Sequence, residues 1–260
     1  VDANIIEKQQ KALIKTRDFI KNIDLNNKNL TGSIWNLLND SNEQNKISNE
    51  EALKLKDNWS KDLIGELQRE LVNYQLHQMK LGNPPRLFGI IKDVFNKING
   101  TDNTILDIGC TSGYYYEIIN FFYPNKFKYN GCDYNPESVK LATQYYPEIN
   151  FFVDDLTNLS SNDDEYDITF LSGVIEHVPE YVKGLNELCR ITKKYIVLHR
   201  IWLQYGKTSC SKGTQFFVPV IRNHYNKLDF FDILKKNSFM LIWESNIYDG
   251  NCKTYLLERV

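Results

Sequence analysis

The chain has 260 residues, 42% hydrophobic, 25% charged and 13% aromatic, which supports a full core and excludes a disordered or collagenous chain. Thirty-one basic against thirty-three acidic side chains leave a formal charge of -2, which argues against a whole-protein field built for nucleic acid. The length fits one large domain, or one domain with an appendage.

From Ile5 to about Ile23 apolar residues recur at helical spacing, and the Asn-rich stretch Asp24 to Asn29 reads as a loop. Trp59, Leu63, Ile64, Leu67, Leu71 and Tyr74 trace one face of a second, longer helix, which Gly82-Asn83-Pro84-Pro85 must stop. A third helix, Leu87 to Ile98, ends at Asn99-Gly100. No Gly-Ser or Pro-rich linker follows, so residues 1–100 are expected to be a packed helical appendage or cap on a domain spanning 101–260.

After Gly100, short apolar strands alternate with helix patterns: strands at Thr104–Ile108, Lys128–Cys132, Asn150–Val153, Tyr166–Ser172 and Tyr195–His199, helices at Tyr115–Phe122, Pro136–Tyr145 and Tyr181–Cys189. This predicts an α/β fold with a parallel sheet and helices on both faces. A helix at Leu228–Lys235 follows, then two β-rich runs, Phe239–Glu244 and Lys253–Glu258, joined by the hairpin signal Asp249-Gly250, so the last strand is expected to be antiparallel.

Ile105 to Gly113 reads as a buried strand breaking into a glycine-containing turn and a helix, the switch-point loop that binds ligands in a doubly wound sheet. It is not GxGxxG, and Asp107 precedes the glycines, so a pyrophosphate would meet negative charge. A cofactor with a cationic amino-acid end suits it better.

The run Asp107-Ile108-Gly109-Cys110-Thr111-Ser112-Gly113 resembles the first motif of class I S-adenosylmethionine-dependent methyltransferases, closest to the small-molecule branch. Tyr129 to Pro136 resembles the second strand, whose terminal acid, here Asp133, grips both ribose hydroxyls, with Tyr134 beside it. Phe152 to Leu159 resembles the third motif, in which an acid four residues before a leucine receives the adenine amine, selecting Asp155, with the Leu156 amide beside the ring. Tyr166 to Val178 resembles the fourth strand and its exit, including Ser172, which flank the transferred methyl. The resemblance implies a seven-stranded Rossmann-like sheet, S-adenosyl-L-methionine as cofactor, and cofactor contacts from Asp107, Gly109, Cys110, Gly113, Asp133, Tyr134, Asp155, Leu156 and Ser172. The family usually has glycine where Thr111 stands, so the loop is expected to sit differently against the cofactor.

Methyl transfer to a hydroxyl needs alignment and a proton acceptor. Of four histidines, His177 leaves the fourth strand facing the methyl, His199 ends the fifth, and His224 lies in the insertion at about 200–227, giving three candidate bases in that order. Between Leu188 and Leu228 stand eight basic residues and no Asp or Glu, pointing to an anionic small-molecule acceptor. Rival readings are an RNA methyltransferase and a degenerate methyltransferase serving as a binding subunit.

Cys110, Cys132, Cys189, Cys210 and Cys252 are odd in number, scattered and form no CxxC pair, which points to reduced thiols and no zinc site. The first residues lack the apolar core of a signal peptide, and no stretch approaches the roughly 20 apolar residues of a membrane span. The expectation is a cytoplasmic transferase with no metal and no membrane partner. A homodimer through the helical appendage is an assembly the sequence leaves open.

Overall fold

The computed structural model describes residues 3–22, 30–39, 45–60, 63–100, 103–248 and 252–260. The expected loop at Asp24 to Asn29 and the expected turn at Asp249-Gly250 lie outside these residues.

The chain begins with α1 (Ala3–Lys21), α2 (Thr31–Leu38), the two-residue strand β1 (Asn45–Lys46), α3 (Asn49–Leu55), a 3-10 turn (Lys56–Ser60), α4 (Ile64–Lys80) and α5 (Arg86–Phe95). The helix expected from Trp59 therefore starts five residues later. Leu63 adopts a left-handed backbone, φ 63°, which a continuous α-helix cannot contain, and leaves Trp59 in the preceding 3-10 turn. The short elements α2, β1 and α3 carry too few residues for a periodic signal. The start of α3 is set by Ser48, whose Oγ accepts the Glu51 N–H at 3.2 Å.

From Asn103 onward the order is β2 (Asn103–Ile108), α6 (Tyr114–Phe122), β3 (Phe127–Asp133), α7 (Pro136–Tyr145), β4 (Asn150–Val153), β5 (Tyr166–Ser172), α8 (Tyr181–Ile191) and β6 (Thr192–Gln204). There follow β7 (Ser209–Gln215), β8 (Val218–Asn226), α9 (Lys227–Lys236), β9 (Phe239–Asn246) and β10 (Cys252–Arg259). Asn135 caps α7, accepting the Glu137 N–H at 2.9 Å with Pro136 in the first turn. Asn226 caps α9 through the N–H groups of Leu228 and Asp229.

The central sheet runs β4-β3-β2-β5-β6-β10-β9, with the first five strands parallel and β10 antiparallel to both β6 and β9. This is the seven-stranded Rossmann-like arrangement with an antiparallel final strand. One face packs on α4, α5 and α6 through residues such as Met79, Phe88 and Ile118, and the other on α8 and α9 through Leu185, Leu188, Phe230 and Leu234. All of these are essentially solvent-free, so each contributes roughly 1.5–3 kcal/mol of burial.

The insertion departs from a simple excursion over the sheet. The strand expected to end at His199 continues to Gln204, and a bulge at its middle places Arg200 in the left-handed region, φ 60°. Beyond it, β7 and β8 form an antiparallel hairpin, β8 pairs parallel with the end of β6 at Leu203↔Tyr225, and β1 adds to β7. A third core joins this hairpin to the N-terminal helices: Leu13, Ile34, Leu38, Ile64 and Leu67 pack with Phe216, Val218 and Val220. Appendage and insertion thus share one hydrophobic interior. No helix among the described residues is long and apolar enough to cross a membrane.

Candidate functional site

A cavity of about 440 Å³ opens at the carboxyl ends of β2, β3, β5 and β6, where an open parallel sheet exposes its loops. Gly109, Asp133, Tyr134, Asp155, Leu156, Ser172, His177 and His224 all line it. The sequence-predicted residues Asp107, Cys110, Gly113 and His199 do not reach its wall.

The floor is built by two tight turns. Gly109, φ 75°, has no room for a side chain, since a Cβ there would stand 2.3 Å from Val174 Cγ2. Thr111 is also left-handed, φ 47°, a conformation that glycine adopts without strain. Its N–H is held by Asp133 Oδ2 at 2.8 Å, while Asp133 Oδ1 accepts the Asn135 N–H at 2.9 Å. Burial raises the Asp133 carboxyl to about 6, against the lowering effect of these two donors. Each oxygen retains a lone pair, so the carboxylate is oriented yet able to accept two further donors, as a vicinal diol offers.

Asp107 acts behind this floor. It is 1% exposed, Tyr129 Oη donates to it, and burial raises it to about 7, opposed by that hydrogen bond and helped by the nearby Asp133. Gly113 is the left-handed residue that opens α6. Cys110 and Cys132 are buried and their thiols are pushed well up by burial, so both are protonated packing groups.

The two acids after β4 divide their work. Asp154 accepts the N–H of Asp155 and both the N–H and Oγ of Ser160. Asp155 Oδ1 holds Thr157 at 2.8 Å through N–H and hydroxyl, and Oδ2 pairs with Lys56 Nζ at 2.9 Å. Burial raises its pKa, but the Thr157 N–H and Lys56 outweigh that and keep it below the ordinary carboxylate range.

The three histidines separate sharply. His199 is fully buried, bonded through Nδ1 to Thr254 Oγ1 at 2.7 Å and stacked on Phe170, and burial followed by Arg200 depresses it far below its usual value. It faces the sheet interior because the strand continues past it. His177 does line the cavity. Its Nδ1 lies 2.6 Å from the Ile221 carbonyl, which can only accept, so Nδ1 carries the proton and Nε2 the lone pair. Burial, only partly countered by that carbonyl, lowers it to about 3, and the ring is neutral at physiological pH. His224 is half-buried and lowered by burial and by Arg222.

Sequence reasoning offered a cap over residues 1–100 but named none of its lining residues. Trp35 from α2, Lys56 and Trp59 from the 3-10 turn, and Ile64 and Gln68 from α4 line the cavity. Trp59 lies 4.5 Å, ring to ring, from His177, its carbonyl accepts from Asn135 Nδ2, and Asn58 donates to the Pro219 carbonyl at 2.7 Å. These contacts are separated by 76 to 161 residues, and no local pattern signals them.

Half of the basic stretch is taken up in ion pairs. Arg190 meets Glu187 and Asp163, Lys194 meets Asp167, Lys212 meets Glu51, and Lys227 meets Glu244. Arg200 and Arg222 instead line the cavity, and neither has a carboxylate within salt-bridge distance among the described residues. Both interact electrostatically with Glu176, another lining residue. No group of three or more His, Cys, Asp or Glu among the described residues is arranged to hold a metal.

Residues 105–195 match the family described as methyltransferase domain. A demethylmenaquinone methyltransferase of Paenarthrobacter aurescens (strain TC1) is 34% identical over 96 residues, 37% of this chain and 34% of that protein, so the match spans about a third of the relative's length. Among solved structures, the magnesium protoporphyrin IX methyltransferase of Synechocystis PCC 6803 with bound S-adenosylmethionine superposes with a TM-score of 0.57 at 14% identity, covering 82% of this chain and 98% of that one. The 1,6-didemethyltoxoflavin-N1-methyltransferase of Burkholderia thailandensis gives 0.56 at 12% identity, covering 84% and 95%. At such identities these structures share the fold.

Proposed function

We propose that this chain, whose residues 105–195 match the methyltransferase-domain family, is an S-adenosylmethionine-dependent methyltransferase acting on oxygen or nitrogen of a small anionic acceptor. The observation that carries the reading is that one cavity gathers two chemistries: the glycine turn with Asp133, Tyr134, Asp155 and Leu156, and the pair Arg200 and Arg222 with His177 and His224.

In the first group, Asp133 would hold the ribose hydroxyls, Asp155 and the Leu156 amide the adenine, and the Gly109 turn and Ser172 the amino-acid end. Asp107 and Gly113 would act from behind, shaping that turn. The cofactor supplies an electrophilic methyl on a sulfonium, so the protein's task is to align an acceptor with that carbon, exclude water and accept a proton. In the second group, two guanidinium groups in a partly desolvated cavity favour a carboxylate or phosphate, which they can grip in a fork geometry. His177, neutral and fixed by Ile221, presents Nε2 as a hydrogen-bond acceptor that orients the acceptor. The N-terminal helices and the β7–β8 hairpin close the site as a cap.

Calorimetry and thermal denaturation test this directly. S-adenosylmethionine and S-adenosylhomocysteine should bind and raise the melting temperature, because a ligand selective for the native state stabilises it by mass action. NAD should do neither. Binding of NAD in their place would overturn the reading.

A further inference from the structure

Four carboxylates line the cavity: Asp133, Asp154, Asp155 and Glu176. The first three are engaged by backbone N–H groups, hydroxyls or Lys56. Glu176 differs. Its Oε2 is buried and has no hydrogen-bond partner among the described residues. Buried polar atoms are almost always paired, and one left open in a ligand cavity points to a donor that the ligand brings.

Its position is defined by the exit of β5. Glu176 sits in the 3-10 turn Ile175–His177, which follows Ser172-Gly173. Its Oε1 and the Arg200 guanidinium carbon lie 3.5 and 3.4 Å from the point where a Cβ on Gly173 would stand, so acid and base crowd one glycine. Charged and titratable groups face it from each packed element: Arg200 from β6, Arg222 from β8, His177 beside it, Tyr225 from β8, whose hydroxyl donates to the Ile175 carbonyl, and Cys252 from β10. The last two are protonated near neutrality and His177 is neutral, leaving two cations as its charged company.

We propose that Glu176 is a catalytic residue of this site: its Oε2 accepts the hydrogen bond of the acceptor's O–H or N–H and takes that proton during transfer. The inference rests on the methyltransferase reading above. As the acceptor's lone pair forms the bond to the methyl carbon, the carbon–sulfur pair leaves with sulfur and the acceptor's proton passes to Glu176. The anionic part of the same acceptor then lies against Arg200 and Arg222. Burial lifts Glu176 to about 7, while its own backbone N–H and the two arginines hold it from rising further, which suits a proton acceptor working near neutral pH. His177, held near 3, is far weaker as a base.

The test uses sinefungin, an S-adenosylmethionine analogue carrying an amine where the methyl sulfonium would be, and S-adenosylhomocysteine, which lacks that group. An ammonium at this place would meet Glu176 Oε2. At about pH 8 the wild-type protein should bind sinefungin at least about tenfold more tightly than S-adenosylhomocysteine, and Glu176→Gln should abolish the preference while leaving S-adenosylhomocysteine affinity within about threefold. The preference should also fade in the wild-type protein on lowering the pH to about 5.5, as Glu176 protonates, and this measurement stands if the variant fails to fold. Taking the ratio of the two ligands cancels the titration of Asp133, which both contact equally. Equal binding of the two ligands by the wild-type protein, or a preference that survives the substitution or the acid shift, would overturn the role of Glu176 and spare the methyltransferase reading. Failure of both ligands to bind would sink the two together.

Discussion

Replacing Asp133 with alanine removes the acid at the end of β3, and the size of the effect follows from its contacts. Its two oxygens are already aimed by the Thr111 and Asn135 N–H groups at 2.8 and 2.9 Å, so a ligand's vicinal hydroxyls meet a preoriented carboxylate and little ordering is lost on binding. Losing charge-assisted hydrogen bonds of this kind costs about 1.5–3 kcal/mol, or roughly 10- to 150-fold in Kd for S-adenosylhomocysteine. Isothermal titration calorimetry reads this directly, and Asp133→Asn, which keeps one acceptor, should fall between wild type and alanine. Affinity of the alanine variant within about threefold of wild type would refute the ribose assignment.

The same substitution has a second, opposite signature in stability. A carboxyl whose pKa is raised from 3.8 to about 6 by burial stabilises the fold fully below its unfolded value and loses that contribution as the pH rises through 6. At pH 8 the wild-type protein therefore carries an ionised, desolvated acid at a penalty of roughly 3 kcal/mol, by the 1.36 kcal/mol per pKa unit. Alanine removes that penalty but leaves the Thr111 and Asn135 N–H groups to water entering from the cavity. The stability of the variant relative to wild type should accordingly improve between about pH 4 and pH 8. An affinity loss with that pH trend separates a lost ligand contact from a damaged fold.

Thr111→Gly should raise stability by up to about 1 kcal/mol with S-adenosylhomocysteine affinity unimpaired, because glycine adopts the φ of 47° without strain; a drop in melting temperature would show that the threonine side chain matters more than its backbone. Asp107, raised to about 7 by burial, makes the wild-type fold lose up to roughly 4 kcal/mol as the pH rises from about 4 to about 7, and Asp107→Asn should flatten that decline in urea titrations across the same window. Arg222→Ala should raise the Michaelis constant for an anionic acceptor about tenfold or more and leave S-adenosylhomocysteine binding nearly unchanged, whereas equal loss on neutral and anionic acceptors would count against the anion assignment.

The sheet was legible because each of its signals is local. The edges of β4, β5 and α7 coincide with those read from apolar runs, Pro136 and the capping Asn135. The misplaced boundaries have a common cause, since tertiary contacts override periodicity where the backbone turns left-handed. Leu63 breaks what looks like one helix face from Trp59 to Tyr74, and Arg200 bends β6 while its strand pairing with β10 carries it on to Gln204. His199 looked like an exposed strand end for that reason. A strand that continues past a residue buries it, and here it set the imidazole against Thr254.

The two parts of the cavity wall differ in the same way. Gly109, Thr111, Asp133 and Asp155 lie at strand exits, so their place in sequence fixes their place in space. The rest of the wall has no such rule. Lys56 reaches Asp155 across 99 residues, Asn58 reaches Pro219 across 161, and Gln9 donates to the Phe216 carbonyl across 207. Each of these contacts depends on the shared interior of α1, α2, α4 and the β7–β8 hairpin, whose registry is a property of packing rather than of any short motif. The eight basic residues between Leu188 and Leu228 illustrate the consequence: charge counting finds an excess, but only folding decides which charges are neutralised by acids elsewhere in the chain and which two are left facing the cavity. A change in that interior would move Arg222, carried on β8, relative to Asp133 at the end of β3. Under the proposed function, acceptor specificity would therefore respond to packing substitutions far from the reacting atoms.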